Sequence, residues 1–369
     1  MVCDAMRISL LAPYYTGSHR QWVDGLIRHS SHAITPLTLP GRFWKWRMHG
    51  GAVALANQYL GQLPATDLFL ATDMLDLTTF QAITRRQTSS ALFAVYFHEN
   101  QLTYPPAPQE RRELHYGFIN YISALAADRV FFNSAFHRND FLEELPRLLK
   151  HFPDYNELHT IDQIRAKSRV LPLGLALKRF DPYRPAARDP GPLRILWNHR
   201  WEYDKRPAAF FKALYALQEQ DVPFEIIVLG ESFRQKPEEF IEAKKRLAAH
   251  IRHFGYVEQP DKYARLLWLA DVQVSCAIQD FFGASTCEAM YCGCLPFLPN
   301  RLNYPALIPA ELHDMCIYQD EQGLVERLRR VCFNTAALDR YSLHEVAARY
   351  DWESMIVRYD SALESISGG

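Results

Sequence analysis

No apolar run in this sequence approaches the roughly 18 residues that a membrane-spanning helix needs. The N-terminus also lacks the basic and apolar regions of a secretion signal, so the chain is expected to work in the cytoplasm. Cys-x-x-Cys pairs are absent and the seven cysteines are odd in number, which argues for a reducing compartment rather than a disulfide framework. A formal net charge of −1 removes any global pull toward nucleic acid or anionic lipid, so a polyanionic partner must be held by local patches. There is no three-glycine dinucleotide fingerprint, which disfavours a nicotinamide or flavin enzyme. There is no His-Glu-x-x-His and no other metal-ligand spacing, so no metal is expected.

What is present is ordinary globular composition: 369 residues, 48% hydrophobic and 22% charged, a length comfortable for two domains. Apolar runs at residues 7–12, 67–72, 91–97, 129–133 and 169–172 read as strands, with helices over 21–29 and 110–127 and from Ser134. Residues 181–192 carry four prolines and a glycine, the clearest linker in the chain. The pattern then restarts, with strands at 193–198, 224–229, 253–256 and 270–275 and helices from Pro207, over 321–333 and from Asp351. The expected fold is α/β, with two Rossmann-like domains facing across a cleft. Residues 1–183 and 193–345 form the domains and 184–192 the linker. A C-terminal helix lies within 346–369 and packs back toward the first domain.

The organising stretch is residues 279–296, Q-D-F-F-G-A-S-T-C-E-A-M-Y-C-G-C-L-P. It reads as strand, glycine-bearing loop and helix, the place where an open α/β sheet binds ligands. Gly283 lets backbone approach a ligand, and the amides from Gly283 to Thr286 lack intrahelical acceptors and favour an anion. Asp280 and Glu288 flank that cradle, an arrangement suited to a ligand with both phosphate and sugar hydroxyls. Ser285-x-x-Glu288 is equally a helix capping box, with Glu288 satisfying only backbone.

Other candidates sit at the ends of other strands. Gly17, Ser18 and His19 follow the first strand, where they form the lip of a cleft or a plain turn. Arg42-Phe43-Trp44-Lys45-Trp46-Arg47 interleaves indoles and cations, fit to stack a base and hold phosphates, or to place Trp44 in the core. The continuous apolar strand ending at Phe97 runs into His98-Glu99-Asn100-Gln101 and Tyr104, polar groups at the carboxyl end of a buried strand. Arg200 and Lys205 could neutralise a diphosphate, or pair with Glu202 and Asp204.

Arg200, Lys205 and Asp280-x7-Glu288 resemble the retaining GT-B glycosyltransferases, whose signature is Glu-x7-Glu. The blocks T-G-S-H-R-Q at 16–21, L-P-G-R-F-W-K-W-R at 39–47 and F-H-E-N-Q-L-T-Y-P at 97–105 narrow the resemblance, as do W-N-H-R-W-E-Y-D-K at 197–205 and L-G-E-S-F at 229–233. They are similar to the tRNA-queuosine α-mannosyltransferase family, over about residues 7–330. That resemblance implies a GDP-mannose donor, mannose placed on the cyclopentene ring of queuosine in a tRNA anticodon, retention of configuration and no required metal or other cofactor. It implies a diphosphate held by Arg200 and Lys205, flanked by Gly17 and Ser18, with Gly230, Phe282, Gly283, Ala284 and Ser285 on the donor side. Asp280 would bind the donor sugar, Glu288 the ribose, and His98 would stand at the reaction centre. His19, Arg42, Trp44, Lys45, Trp46, Arg47, Glu99, Asn100, Gln101 and Tyr104 would face the acceptor RNA. Asp280 departs from the signature, being one methylene shorter than glutamate. No protein partner and no membrane are implied. The competing readings are a glycosyltransferase of a lipid or surface polysaccharide, and a non-catalytic nucleotide-sugar or RNA-binding protein.

Overall fold

A computed structural model describes residues 5–106, 111–187, 190–231, 237–334 and 342–367. The chain forms two compact units. One holds the residues up to Ala176 together with those from Trp352 onward, and the other spans Leu177–Asp351.

The first unit is built on six strands: β1 (Arg7–Tyr15), β2 (Ala33–Pro40), β3 (Leu68–Thr72), β4 (Leu92–Phe97), β5 (Arg129–Phe132) and β6 (Ser168–Val170). All pairs are parallel, in the order β2-β1-β3-β4-β5-β6. β3 is buried at every position and β4 at all but its first, as central strands covered on both faces are. The edge strand β2 has no counterpart in the sequence reading, because Pro36 and Pro40 argue against a strand anywhere but at an edge. β1 continues through Pro13 to Tyr15 with a register irregularity after Ala12. The helix read from Glu110 begins at Leu114, and Glu110 itself lies outside the described residues.

The C-terminal helix Trp352–Ser367 packs on the helix Gly17–His29. Glycines make the space: a Cβ on Gly25 would lie 2.0 Å from the Trp352 indole, and one on Gly174 2.5 Å from it. The Tyr359 hydroxyl receives Trp22 Nε1 at 2.9 Å and lies 3.0 Å from the Tyr96 hydroxyl and 2.9 Å from the Pro172 carbonyl. Asp360 accepts from Ser30 and Ser31.

The second unit carries β7 (Leu193–Trp197), β8 (Phe224–Val228), β9 (Ile251–Phe254), β10 (Val272–Val274), β11 (Leu295–Pro299) and β12 (Ile317–Tyr318), again all parallel. Its order, β12-β11-β10-β7-β8-β9, is the doubly wound Rossmann arrangement, with the direction of winding reversing between β7 and β10. In the first unit the reversal falls between β1 and β3. The 3₁₀ segment Leu177–Tyr183, read from sequence as the end of the first domain, belongs to the second unit. Asp351 accepts the amides of Leu177 and Lys178, Trp268 Nε1 donates to the Phe180 carbonyl, and the Tyr291 hydroxyl donates to Asp181.

Candidate active site

Polar side chains gather beyond the carboxyl ends of the strands at both reversal points, where connections part and leave a crevice. In the second unit, β7 runs into Asn198, His199 and Arg200, and β10 runs into the loop 275–283. Gly283 has φ +99° and caps the helix Ala284–Tyr291; a Cβ there would be left-handed and 2.6 Å from Leu307. Asp280 shapes this turn. Its Oδ1 accepts the amides of Phe282 at 3.2 Å and Gly283 at 2.7 Å, while Oδ2 lies 3.3 Å from the Tyr304 hydroxyl. The Gly283 amide, expected to face a ligand, is therefore spent inside the loop, and Ala284, Ser285 and Thr286 supply the donors of the first helical turn.

Glu288 settles one of the two sequence alternatives. The cap is Gly283 and Ser285 lies within the helix, so no Ser-x-x-Glu capping box forms. The carboxylate of Glu288 instead meets Arg179 at 2.6 Å and accepts from the Tyr263 hydroxyl at 2.8 Å. Both partners escaped the sequence reading, because they lie far from Glu288 in the chain and belong to no motif. Burial, then the Glu288 charge, hold the Tyr263 hydroxyl well above its ordinary pKa.

The cations are engaged locally. Arg200 is exposed and pairs with Glu202 at 3.1 Å. Lys205 is buried, with its ammonium 3.0 Å from Asp204 and donating to the Gln279 carbonyl. An ammonium carries three donors, so these partners do not exhaust it. His199 links the two loops, with Nδ1 3.1 Å from Ser285 Oγ; Asn198 donates to the Ser285 carbonyl at 2.7 Å. Burial lowers the His199 pKa to about 3, so the imidazole is neutral. Gly230, at φ +116°, is fixed by close approach, since a Cβ would sit 1.9 Å from the His199 carbonyl oxygen. Of the L-G-E-S-F block, Ser232 and Phe233 lie outside the described residues.

In the first unit Gly17, Ser18 and His19 form the first turn of the helix Gly17–His29, so the helix starts four residues before the expected Gln21. Gly17 and Ser18 are exposed and His19 is buried. The His19 ring lies 4.5 Å from that of His98, which follows β4. Asp73, which follows β3, accepts the His98 backbone amide at 2.9 Å and lies 3.3 Å from its Nδ1. These three residues bring metal-type donor atoms within 4.8 Å of one another. The Asp73–His98 contact is nonetheless a hydrogen bond, which points both groups at each other.

Asn100 is fully buried and its Oδ1 accepts the amides of Leu102 and Thr103, a turn-forming role. Gln101 donates to Glu99 at 2.9 Å. Arg112, unread in the sequence, donates to the carbonyls of Leu102, Thr103 and Tyr104 and fastens this loop.

The indole-rich segment opens the helix Trp44–Gln62. Trp44 is half-buried against Met48, Met74, Tyr116 and Ile119. Lys45 pairs with Glu113 and Arg47 Nε donates to the Pro40 carbonyl. Arg42 is exposed, as are the large rings of Phe43 (69%) and Trp46 (62%).

Two doubly wound parallel sheets, with an anion-ready helix start flanked by acids and cations, are the architecture of the GT-B glycosyltransferases. Residues 183–341 match the family described as glycosyl transferases group 1. Among solved structures, Anabaena HepE in complex with UDP superimposes with a TM-score of 0.72 at 14% identity, over 98% of this chain and 100% of that one. Sucrose-phosphate synthase from Thermosynechococcus elongatus does so at 0.72 and 15% identity, over 98% and 99%. At such identities the likeness speaks for the fold alone.

Residues 7–175 match the family described as tRNA-queuosine alpha-mannosyltransferase N-terminal. A Drosophila melanogaster tRNA-queuosine alpha-mannosyltransferase is 32% identical over 371 residues, covering 95% of this chain and 97% of that protein. The chain belongs to the tRNA-queuosine α-mannosyltransferase family.

Proposed function

We propose that the enzyme moves mannose from GDP-mannose, with retention, onto the cyclopentene ring of queuosine in a tRNA anticodon. The observation that carries this reading is the match of the first unit to a family defined by that acceptor, rather than to a general glycosyltransferase. As the glycosidic bond breaks, negative charge grows on the departing diphosphate. Arg200, Lys205 and the amides from Ala284 to Ser285 meet it, and being preorganised they stabilise the transition state more than the bound donor. Gly230 and Phe282 line the donor side, and Gly17 and Ser18 offer a second helix start to the phosphates. Glu288, steadied by Arg179 and Tyr263, accepts from ribose hydroxyls. Asp280 holds the loop that presents the sugar site. His98 meets the transferred sugar, and a diphosphate oxygen takes the proton of the attacking hydroxyl. The charge is met without a metal.

On the acceptor side, Arg42, Phe43 and Trp46 offer charge and open ring faces to single-stranded RNA, the usual means of holding unpaired bases. Lys45 and Arg47 add positive charge, and His19, Trp44, Glu99, Asn100, Gln101 and Tyr104 complete the acceptor-side set. A tRNA substrate goes with a cytoplasmic enzyme; among the described residues no helix is long and apolar enough to cross a membrane. The test is incubation with GDP-mannose or other nucleotide sugars and with queuosine-containing or queuosine-free tRNA, followed by nucleoside mass measurement. A hexose mass on queuosine from GDP-mannose alone is expected. Transfer to queuosine-free tRNA, or from another donor only, overturns the assignment.

A further inference from the structure

Asp73 was not part of any motif, yet it is the most deliberately placed carboxylate of the first unit. Its side chain is 2% exposed, at the end of β3 beside the reversal point of the sheet. Its Oδ1 lies 2.9 Å from the His98 amide nitrogen and 3.3 Å from His98 Nδ1. Asn120 donates to the Asp73 carbonyl at 2.9 Å, and its Oδ1 accepts from the Gln101 amide at 2.8 Å. Asn133 donates to the His98 carbonyl at 2.8 Å, and His137 Nδ1 stands 2.9 Å from Asn133 Oδ1. Backbone and side chain of His98 are thus held from both sides.

Rings enclose the imidazole: His19 at 4.5 Å, Trp22 at 4.7 Å and Tyr96 at 4.8 Å. Tyr359, from the C-terminal helix, ties Trp22 and Tyr96 in place. His98 Nε2 is buried and has no hydrogen-bond partner among the described residues. An orphaned buried nitrogen costs free energy, and its persistence calls for a ligand group or a function.

A carboxylate can only accept, so a proton between Asp73 and His98 sits on Nδ1 and leaves a lone pair on Nε2. We propose that Asp73 is a positioning residue that fixes His98 as the Nδ1–H tautomer, so that Nε2 presents a lone pair to a hydroxyl of the transferred sugar or of the acceptor. This rests on the assignment of His98 to the reaction centre. Burial supports it from both directions, lowering the His98 pKa to about 3 and raising that of Asp73 to about 6, so that at neutral pH a neutral ring faces an ionised acid. Asp73 also faces His19 from the helix Gly17–His29, Tyr96 from β4 and the backbone of Glu99. If filling space were its purpose, an apolar residue would serve at lower desolvation cost.

The test uses the full chain labelled with ¹⁵N-histidine, with the His98 resonances assigned by their loss in His98→Phe. Native protein at neutral pH is expected to show a protonated Nδ1 and a bare Nε2. Asp73→Asn, checked for folding by circular dichroism, is expected to lose that pattern. Its turnover should fall by on the order of a hundredfold or more, as when a buried acid behind a catalytic imidazole is removed, with donor KM changing far less. Asp73→Glu should recover part of the activity. Native His98 carrying its proton on Nε2, or folded Asp73→Asn with native turnover, overturns the proposal. The tautomer measurement needs no activity, so full transfer by His98→Phe would sink the assignment of His98 while leaving the tautomer result readable.

Discussion

Lys205 and Asp204 form a buried pair whose two roles separate in a double-mutant cycle. Their side chains are 11% and 1% exposed, 3.0 Å apart, and the ammonium also serves the Gln279 carbonyl of the donor-side loop. Lys205→Met roughly keeps the side chain's volume but removes the counter-ion of the buried Asp204 carboxylate. Breaking a buried pair on one side costs about 3–5 kcal/mol, a large share of the roughly 5–15 kcal/mol that holds a typical domain. In the proposed role of Lys205, the same variant also removes one preorganised charge from the departing diphosphate, for a loss of on the order of 10²–10³ in turnover. Asp204→Asn in the same chain removes the buried negative charge. Denaturant unfolding should therefore show a strongly destabilised single variant and a largely restored double variant, while single-turnover transfer stays depressed in both. A double variant that regains turnover along with stability would show that Lys205 acts only as a counter-ion, and the electrostatic account of leaving-group departure would fail.

Gly230→Ala forces a left-handed Cβ against the His199 carbonyl, and is expected to cost about 1–3 kcal/mol and to weaken donor binding, read by titration calorimetry. Gly25→Ala should destabilise the first unit by a similar amount through the Trp352 indole, with Trp352→Phe in the same chain recovering part of the melting temperature. Glu288→Gln weakens its bond to Arg179 and, in its proposed role, to ribose; donor affinity should drop by about tenfold or more, as for loss of a charged hydrogen bond, with no change in retention. Burial pushes the Asp73 carboxyl up to about 6 from the 3.8 of a free aspartate, so between those values the native protein binds a proton that the unfolded chain does not. This group's burial cost is therefore relieved as pH falls through that window, whereas turnover declines below about 6. A pH–rate profile without an acid limb there, or with the same limb in Asp73→Asn, contradicts it.

The alternation of apolar runs with helical stretches was enough to read two α/β units, because parallel strands covered on both faces announce themselves as continuous apolar segments. What escaped were strands whose composition argues against them. β11, with Pro296 and Pro299, lies inside its sheet: the Leu295 amide donates to the Asp271 carbonyl and the Phe297 carbonyl accepts from Ser275, so bonding passes on either side of the proline. β12 has only two residues, too few to show a period. The glycine loop and its helix were legible because that chemistry is local, and Gly283 takes the left-handed φ that only glycine adopts freely. The partners of Glu288 and His98 were not, since Arg179, Tyr263 and Asp73 reach them through the fold rather than through spacing. Nor did local pattern show that Asn100 Oδ1 would accept the amides of its own turn, with Nδ2 left buried and without a partner among the described residues.

The most direct measurement is a crystal structure with GDP bound. The account predicts diphosphate oxygens within hydrogen-bond distance of the Ala284 and Ser285 amides, with Lys205 and Arg200 turned onto them and ribose hydroxyls on Glu288. A nucleotide bound away from the Ala284–Tyr291 helix start, with Arg200 still on Glu202 and Lys205 still on Asp204, would contradict it.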